Sequence, residues 1–177
     1  MAEMWDILNE DGNKTGRLHE RGQPMQKGEY HLGVQVWIMN KDGNFLIAKR
    51  TPNRGDIWHT TGGCAIAGDD SLSAALREVQ EEIGVDLNPK SGQLFKRCID
   101  PHTNDEGFII CDVWLFRQEV DITDTVLCPN EISDACWASR EQIQKMIIDG
   151  TFAQPEDRWY PYLDELFRFC ETLENGR

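Results

Sequence analysis

The sequence predicts a mixed α/β domain, of the α+β or α/β class, in which one mixed β-sheet lies between helices. Two observations predict this fold class. Runs rich in β-branched and aromatic residues precede and follow one amphipathic helix, and two more helical patterns close the chain. The 177 residues also suit one domain with its own hydrophobic core. We expect residues 1–30 to form an N-terminal hairpin and linker of the same domain, and residues 31–177 to form its main body.

The N-terminal half contains two hairpin signals, each an Asp-Gly dipeptide between two β-rich runs. Asp-Gly favours a two-residue hairpin turn because glycine accepts the positive φ that such a turn needs. The runs lie at residues 5–9 and 15–18 around Asp11-Gly12, and at residues 33–39 and 44–49 around Asp42-Gly43. Residues 20–29 are polar and contain glycine and proline, so we expect a loop there.

The middle helix has a start signal and a stop signal. Ser71 is predicted to be its N-cap, supported by Asp69 and Asp70 at the positive end of the helix dipole, and Gly84 is a natural C-cap. Its apolar residues share a stripe that can face a core: Leu72, Ala75, Leu76, Val79 and Ile83.

Three further strands are predicted after this helix. They lie at residues 94–99, 108–116 and 135–138, with loops at residues 100–107 and 117–130 between them. Alternation in the second strand puts Ile109, Cys111, Val113 and Leu115 on one face and Asp112 on the other. Asp112 is therefore either a surface acid at a strand end or a site residue.

Two helices are predicted to close the chain. Ser139 and Gln142 form a capping box for a helix that runs to Asp149, and the last helix is expected to begin near Pro161. The apolar stripe of the last helix consists of Leu163, Leu166, Phe167, Cys170 and Leu173.

The net charge of −13 limits the partners of this chain. A nucleic-acid polymer needs basic surface along its phosphates, so we expect none, whereas a small phosphorylated substrate needs only a few local cations. The absence of an 18-residue apolar run and of a signal-peptide pattern predicts a cytoplasmic protein with no membrane span. The six cysteines contain no C-x-x-C pair, which favours reduced core residues over a zinc knuckle or a redox pair.

The middle helix carries an acidic stripe of Glu78, Glu81 and Glu82. Repulsion between acids three or four residues apart costs about 0.2–0.5 kcal/mol per pair, and the helix dipole disfavours acids in the last turn. A divalent cation would offset these costs, and carboxylate oxygens suit Mg²⁺ or Mn²⁺. The alternative is an acidic helix face exposed to solvent.

A basic cluster of Lys49, Arg50 and Arg54 precedes this helix. These side chains could bind phosphate oxygens of a substrate, or they could be ordinary solvated residues at a strand end. Trp58 could stack on a base of the substrate or fill the core, and His59 could be a polar wall of the same site.

The stretch GCAIAGDDSLSAALREVQEEIGV resembles the Nudix box, G-x5-E-x7-R-E-U-x-E-E-x-G-U, in which U is a bulky aliphatic residue. Gly63 fills the first glycine of the pattern. The fixed places of its second half are filled by Arg77, Glu78, Val79, Glu81, Glu82, Gly84 and Val85. Asp69 stands where the family has glutamate, at a place that helps tie the loop to the helix arginine.

The resemblance implies a Nudix α/β/α sandwich over about residues 31–175 and hydrolysis of a nucleoside diphosphate linked to some group X. It implies Mg²⁺ (or Mn²⁺) as the cofactor, held by Glu78, Glu81, Glu82 and a backbone carbonyl near Gly62 or Gly63. It also implies structural roles in the box for Asp69, Arg77 and Gly84, and it allows a homodimer.

Many Nudix proteins add an acid from a later loop as a further metal ligand or base. Glu131 is the first candidate for that role, followed by Asp112 and Glu106. The alternative for Glu131 is a loop acid that orders a neighbouring segment.

Three segments, WDILNEDGNKTG, YHLGVQVWIMNKDGNFLIAKR and EISDACW, resemble the Nudix branch that includes isopentenyl-diphosphate isomerases. In that branch a cysteine before the box and a later glutamate move protons. Here the cysteine falls on Gly62, with Cys64 two places on, and the glutamate falls near Cys111. His31 matches one metal histidine of the branch. We therefore predict a hydrolase, with an isomerase-like enzyme and a non-catalytic nucleotide-binding regulator as alternatives.

Overall fold

A computed structural model of this chain describes residues 2–104, 107–153 and 160–175. The strands, in chain order, are β1 Met4–Leu8, β2 Lys14–Glu20, β3 Tyr30–Met39, β4 Phe45–Arg50, β5 Trp58–His59, β6 Thr61–Cys64, β7 Gly92–Asn104, β8 Gly107–Arg117 and β9 Ile132–Ala138. The helices are α1 Ser71–Ile83, α2 Arg140–Ile148 and α3 Leu163–Asn175. None of these three helices is long and apolar enough to cross a membrane.

The sheet is mixed, as the sequence predicts, and β3 is at its centre. β3 pairs in parallel with β8 over its whole length and antiparallel with β1, β4 and β6. β7 pairs antiparallel with β8, and β4 pairs antiparallel with β5 and β9. β1 and β2 form the predicted N-terminal hairpin, and Leu8 of β1 pairs with Tyr30 of β3. The division of the chain at residue 30 stays a prediction.

Helices cover both faces of this sheet, so the fold is an α/β/α sandwich. α1 packs on one face, in a cluster that contains Val34, Val36, Ile38, Leu46, Ala48, Ala74, Ala75, Val79 and Ile83. α2 and α3 pack on the other face, in a cluster that contains Trp37, Met39, Phe45, Ile47, Val113, Leu115, Ile143, Leu163, Leu166, Phe167 and Cys170. Odd and even residues of β3 belong to different clusters because successive side chains of a strand point to opposite faces.

The N-cap of α1 is Asp70, and the prediction of Ser71 was wrong by one residue. The Asp70 carboxylate accepts a hydrogen bond from the Ser73 backbone N–H at 2.7 Å, and the Ser73 hydroxyl accepts one from the Asp70 N–H at 2.8 Å. Ser71 is the first helical residue, and its hydroxyl accepts a hydrogen bond from the Trp114 indole at 2.8 Å. Both residues are good caps, and the fold leaves Asp70 with the extended backbone that a cap needs.

Three other boundaries differ from those expected. β7 runs to Asn104 and pairs with β8 as far as Gly107, although the sequence suggested a loop at residues 100–107. Pairing with a neighbouring strand outweighs the weak local strand preference of that segment. β9 begins at Ile132, and α3 begins at Leu163, two residues after Pro161.

Candidate functional site

The C-terminal half of α1 brings two acidic side chains against β6. The apolar stripe of α1 faces β3, which leaves Glu78 and Glu82, one helical turn apart, directed towards the Gly62–Gly63 segment. Glu82 is only 6% exposed, and its carboxylate accepts a hydrogen bond from the Gly62 N–H at 3.3 Å. An acid that is buried to this degree requires compensation by a partner.

The absence of a side chain at Gly63 makes room for Glu78. A Cβ atom at position 63 would lie 2.4 Å from Oε2 of Glu78, which is far inside the contact distance. The first glycine of the motif and its first helix glutamate are therefore in direct contact, although they are 15 residues apart.

Burial and repulsion from neighbouring acids raise the pKa of both carboxyl groups. Burial and, after it, the charge of the neighbouring Glu78 raise the pKa of Glu82 to about 8, against the opposing effects of the Gly62 N–H and Arg50. Burial also raises the pKa of Glu78, against the opposing effect of Arg77. Glu131 raises both values and is therefore electrostatically coupled to the pair. Such an arrangement favours a bound cation, which would stabilise both ionised acids.

Arg77 connects the loop before α1 to the helix. Its guanidinium donates to the Asp69 carboxylate at 3.1 Å and to the Cys64 carbonyl at 3.0 Å. One nitrogen of the same group lies 2.9 Å from a carboxylate oxygen of Glu78 and 2.9 Å from one of Glu81. Asp69 thus reaches the arginine although its side chain is one methylene shorter than glutamate.

Glu81 lies apart from Glu78 and Glu82 and is more exposed than either of them. Its side chain is 55% exposed and forms the ion pair with Arg77. Within the described ranges, no group of three or more His, Cys, Asp or Glu side chains is gathered closely enough to hold a metal ion. Glu78 and Glu82 nevertheless fit a divalent cation in donor chemistry, and Glu81 could join them after a rotation about its exposed side chain.

The loop after β8 brings Glu131 towards the acidic pair. This loop bonds to the C-terminal end of α1, where the Val126 N–H donates to the Ile83 carbonyl at 3.0 Å and the Cys128 N–H donates to the Glu82 carbonyl at 2.9 Å. Gly84 permits this close approach, because it has a φ of 69° and a Cβ there would lie 2.7 Å from the Cβ of Val126.

Asp112, the second candidate acid, already has a strong partner. It is completely buried, and Arg97 of β7 donates to its two oxygens at 2.6 and 2.8 Å. Asp112 therefore supports a bidentate ion pair between β7 and β8. Glu106, the third candidate, lies outside the described residues.

The three basic residues before the helix do not form one continuous patch. Nζ of Lys49 lies 2.7 Å from the Asp56 carboxylate, and the Arg54 guanidinium lies 2.5 Å from the Glu131 carboxylate. Arg50 acts on the acidic site directly, since it opposes the rise in the pKa of Glu82. A phosphate group would have to compete with Asp56 for Lys49 and with Glu131 for Arg54.

Trp58 and His59, the two residues of β5, pair with the end of β4 that precedes Arg50. Trp58 is half-buried and packs against the cluster beneath α3, and His59 is 4% exposed. Burial, followed by the charge of Arg50, lowers the pKa of His59 to about 4, so this imidazole is neutral.

Sequence reasoning missed Tyr160, whose hydroxyl accepts a hydrogen bond from the Thr60 N–H at 3.1 Å. The charges of Arg50 and Glu82 both affect its pKa, so Tyr160 belongs to the surroundings of the site. No local pattern could have revealed a contact between residues 100 positions apart.

A family model for the NUDIX domain matches residues 29–163. An uncharacterised Nudix hydrolase of Listeria monocytogenes is 35% identical over 171 residues, which cover 93% of this chain and 94% of the relative. An isopentenyl-diphosphate Delta-isomerase of Cutibacterium acnes is 23% identical over 141 residues, which cover 74% of this chain and 71% of the relative.

Solved structures share the fold. A protein of Deinococcus radiodurans superimposes with a TM-score of 0.68 at 24% identity, over 95% of this chain and 99% of that protein. A bifunctional NMN adenylyltransferase/ADP ribose pyrophosphatase of Francisella tularensis, in complex with AMP and a Mn ion, superimposes with a TM-score of 0.62 at 20% identity. That match covers 80% of this chain and 42% of the Francisella protein.

Proposed function

Because this chain belongs to the Nudix hydrolase family and is a hydrolase of pyrophosphate bonds, we propose that it is a divalent-metal-dependent pyrophosphohydrolase. Its substrate is a nucleoside diphosphate linked to a group X, or a related small diphosphate, and water attacks at phosphorus. The convergence of Glu78 and Glu82 on the Gly62–Gly63 segment carries this proposal.

The metal would be held by Glu78 and Glu82, with Glu81 and a backbone carbonyl near Gly62 or Gly63 as further ligands. When bound, Mg²⁺ or Mn²⁺ would neutralise charge on the diphosphate and lower the pKa of a bound water. The Mn ion in the Francisella structure, which shares this fold, supports the assignment.

The residues of the chain would orient the substrate and accept a proton from the attacking water. Arg77 holds Glu78 and the loop carbonyl of Cys64 in place. Arg50 can stabilise phosphate charge on the side of Glu82, and Glu131 can accept a proton from the attacking water. For this role Glu131 would first have to break its ion pair with Arg54. The released Arg54 could then bind a phosphate oxygen. Lys49 and Trp58 complete the proposed substrate-binding residues.

A screen for cleavage of the diphosphate bond tests the proposal. Because hydrolysis of that bond in a compound linked to X leaves two phosphomonoesters and no free phosphate, the two products are separated and identified by chromatography. Diphosphate compounds of several classes are incubated with the protein in Mg²⁺ or Mn²⁺, in parallel with Glu82→Gln and with Glu171→Gln, the same change on α3 as a matched control. We expect metal-dependent cleavage of one class of compound, a loss of cleavage rate of at least a hundred-fold in Glu82→Gln, and an unchanged rate in Glu171→Gln. Full activity of Glu82→Gln would show that the metal assignment is wrong.

The similarity to an isomerase supports a second candidate function, which the geometry of β6 opposes. Gly62 has a φ of 153°, and a Cβ there would lie 2.2 Å from the Val34 carbonyl oxygen, so a cysteine at position 62 would require the backbone to move. Incubation with isopentenyl diphosphate in deuterated water distinguishes the two reactions. We expect no deuterium in the recovered compound, and its incorporation would favour the isomerase.

A non-catalytic nucleotide-binding regulator is the second alternative to the proposed hydrolase. It predicts that a nucleotide binds without turnover and that Glu82→Gln leaves nucleotide binding unchanged. Calorimetric titration of the nucleotides that are not cleaved in the screen would detect such binding.

A further inference from the structure

Two cysteines lie directly opposite each other on neighbouring strands. β7 and β8 pair antiparallel, and Cys98 is the register partner of Cys111. Directly opposed residues of an antiparallel pair point to the same face, with their Cβ atoms about 4.5–5.5 Å apart. A disulfide needs Cβ atoms about 3.5–4.5 Å apart and Cα atoms about 4.4–6.8 Å apart. A small approach of the two strands is therefore enough to bridge this pair.

The surrounding ladder holds this register. Arg97 and Asp112, the next pair along the strands, form the bidentate ion pair described above, in which Asp112 is buried, and Ile99 and Ile110 are paired on the other side. A slip by one residue would break the ion pair and leave Asp112 buried without its partner, which is costly. Cys98 and Cys111 are thus kept opposite each other in the folded protein.

Both thiols are partly exposed. Each is half-buried, and neither is in a disulfide. Burial raises the pKa of Cys98, and the nearby Lys96 opposes this shift. A thiol with a raised pKa reacts slowly near neutral pH. It is also a poor leaving group, so an attacking thiol reduces a disulfide that contains it only slowly.

We propose that Cys98 and Cys111 form a reversible thiol–disulfide modification site that reacts with small disulfides such as oxidised glutathione. One cysteine thiolate attacks a sulfur of oxidised glutathione, the glutathione S–S bond breaks, and one glutathione thiolate leaves. The second cysteine thiolate then attacks the resulting mixed disulfide, which forms the Cys98–Cys111 bond and releases the second glutathione. The two cysteines lose two electrons and two protons, and one oxidised glutathione becomes two reduced ones.

The bond would close the β7–β8 hairpin covalently. β8 pairs with the central strand β3, and β7 pairs with β8. The disulfide would therefore tie an outer strand to the central part of the sheet. Such a cross-link stabilises a fold mainly by restricting the unfolded chain. This inference does not depend on the proposed function, because it concerns a different pair of strands and a different chemistry.

Peptide mapping of the oxidised full-length protein tests the proposal. The protein is equilibrated with oxidised glutathione, quenched by acid and alkylated, and its thiols and cross-linked peptides are determined by mass spectrometry. We expect a loss of two of the six thiols, one cross-linked pair that joins Cys98 to Cys111, and a higher melting temperature that dithiothreitol reverses.

Cysteine variants supply the controls. Cys98→Ser and Cys111→Ser should each abolish the cross-link, whereas Cys136→Ser should keep it. Cys136 is a matched control, since it is also half-buried in a strand with a pKa raised by burial, but its register partner is Ile47. Six thiols remaining in the wild-type protein, or a cross-link that joins a different pair of cysteines, would overturn the proposal. Since the wild-type map alone decides this, a variant that fails to fold does not obscure the result.

Discussion

The Glu78 carboxylate fills the space that a side chain at position 63 would occupy, at the centre of the candidate site. A methyl group at position 63 would overlap the Glu78 carboxylate. The φ of Gly63 is not positive, so alanine is compatible with the backbone there and the conflict is purely one of space. We therefore expect the candidate site to require a residue without a Cβ atom at position 63.

We expect Gly63→Ala to weaken Mn²⁺ binding and turnover by at least ten-fold, because Glu78 must swing away from the site. The fold should persist, as followed by circular dichroism. Gly33→Ala is the matched control, since it lies in the neighbouring strand β3 and its methyl group would press on Ile109, not on a carboxylate. Equal losses in both variants would indicate that the sheet is distorted and that Glu78 has no special role.

Asp69 and Arg77 show how a shorter residue can keep its role. The Asp69 carboxylate also lies 3.3 Å from the Ile66 N–H, so it bonds the loop and the arginine together. The loop has thus adapted to the shorter side chain, which the sequence alone could not reveal.

Among the elements, α1 is held in place by hydrogen bonds at both of its ends. Asp70 satisfies the first N–H groups of the helix, and the loop after β8 satisfies its last carbonyls. Both ends matter for the site, because they fix the helix on which Glu78 and Glu82 lie.

We expect Asp70→Ala to lower the free energy of unfolding by about 0.5–2 kcal/mol, because the N–H of Ser73 loses its acceptor. Asp70→Asn is the control, since asparagine supplies a similar oxygen and should cost far less. Chemical denaturation measures both changes. Equal losses for the two variants would mean that the charge of Asp70, rather than its capping bond, stabilises the helix.

Periodic features of the sequence predicted elements well, and contacts between distant segments decided the rest. The hairpins, the box helix and the capping box at Ser139 follow local rules that a single segment contains. Helical spacing also predicted that Glu78 and Glu82 lie on the same side of α1. The outward turn of Glu81 towards Arg77, the pairing of Asp112 with Arg97 and the approach of Tyr160 depend on tertiary packing, which no local pattern encodes.

For the whole molecule, buried histidines couple stability to pH. His31 is 1% exposed and stacks on Trp5 with ring centroids 4.2 Å apart. Burial, followed by the charges of His19 and Arg21, lowers the pKa of His31 to about 4 from the ordinary 6.5. Between these two values the unfolded chain binds a proton that the folded chain does not, so stability falls as the pH drops from 6.5 to about 4.

We expect His31→Phe to reduce this acid sensitivity, because the phenyl ring can keep the stack on Trp5 and has no proton to bind. The loss of unfolding free energy between pH 7 and pH 4.5 should shrink by about 1–3 kcal/mol relative to the wild type. Identical pH profiles for wild type and His31→Phe would contradict the assignment.

The central claim is that Glu78 and Glu82 hold a divalent cation against the Gly62–Gly63 segment. Calorimetric titration of Mn²⁺ into the wild type, Glu82→Gln and Glu171→Gln, without substrate, tests it most directly. The account predicts saturable binding to the wild type and to Glu171→Gln, and affinity weakened at least ten-fold in Glu82→Gln. Equal affinities in all three proteins would contradict it and place the metal elsewhere in the chain.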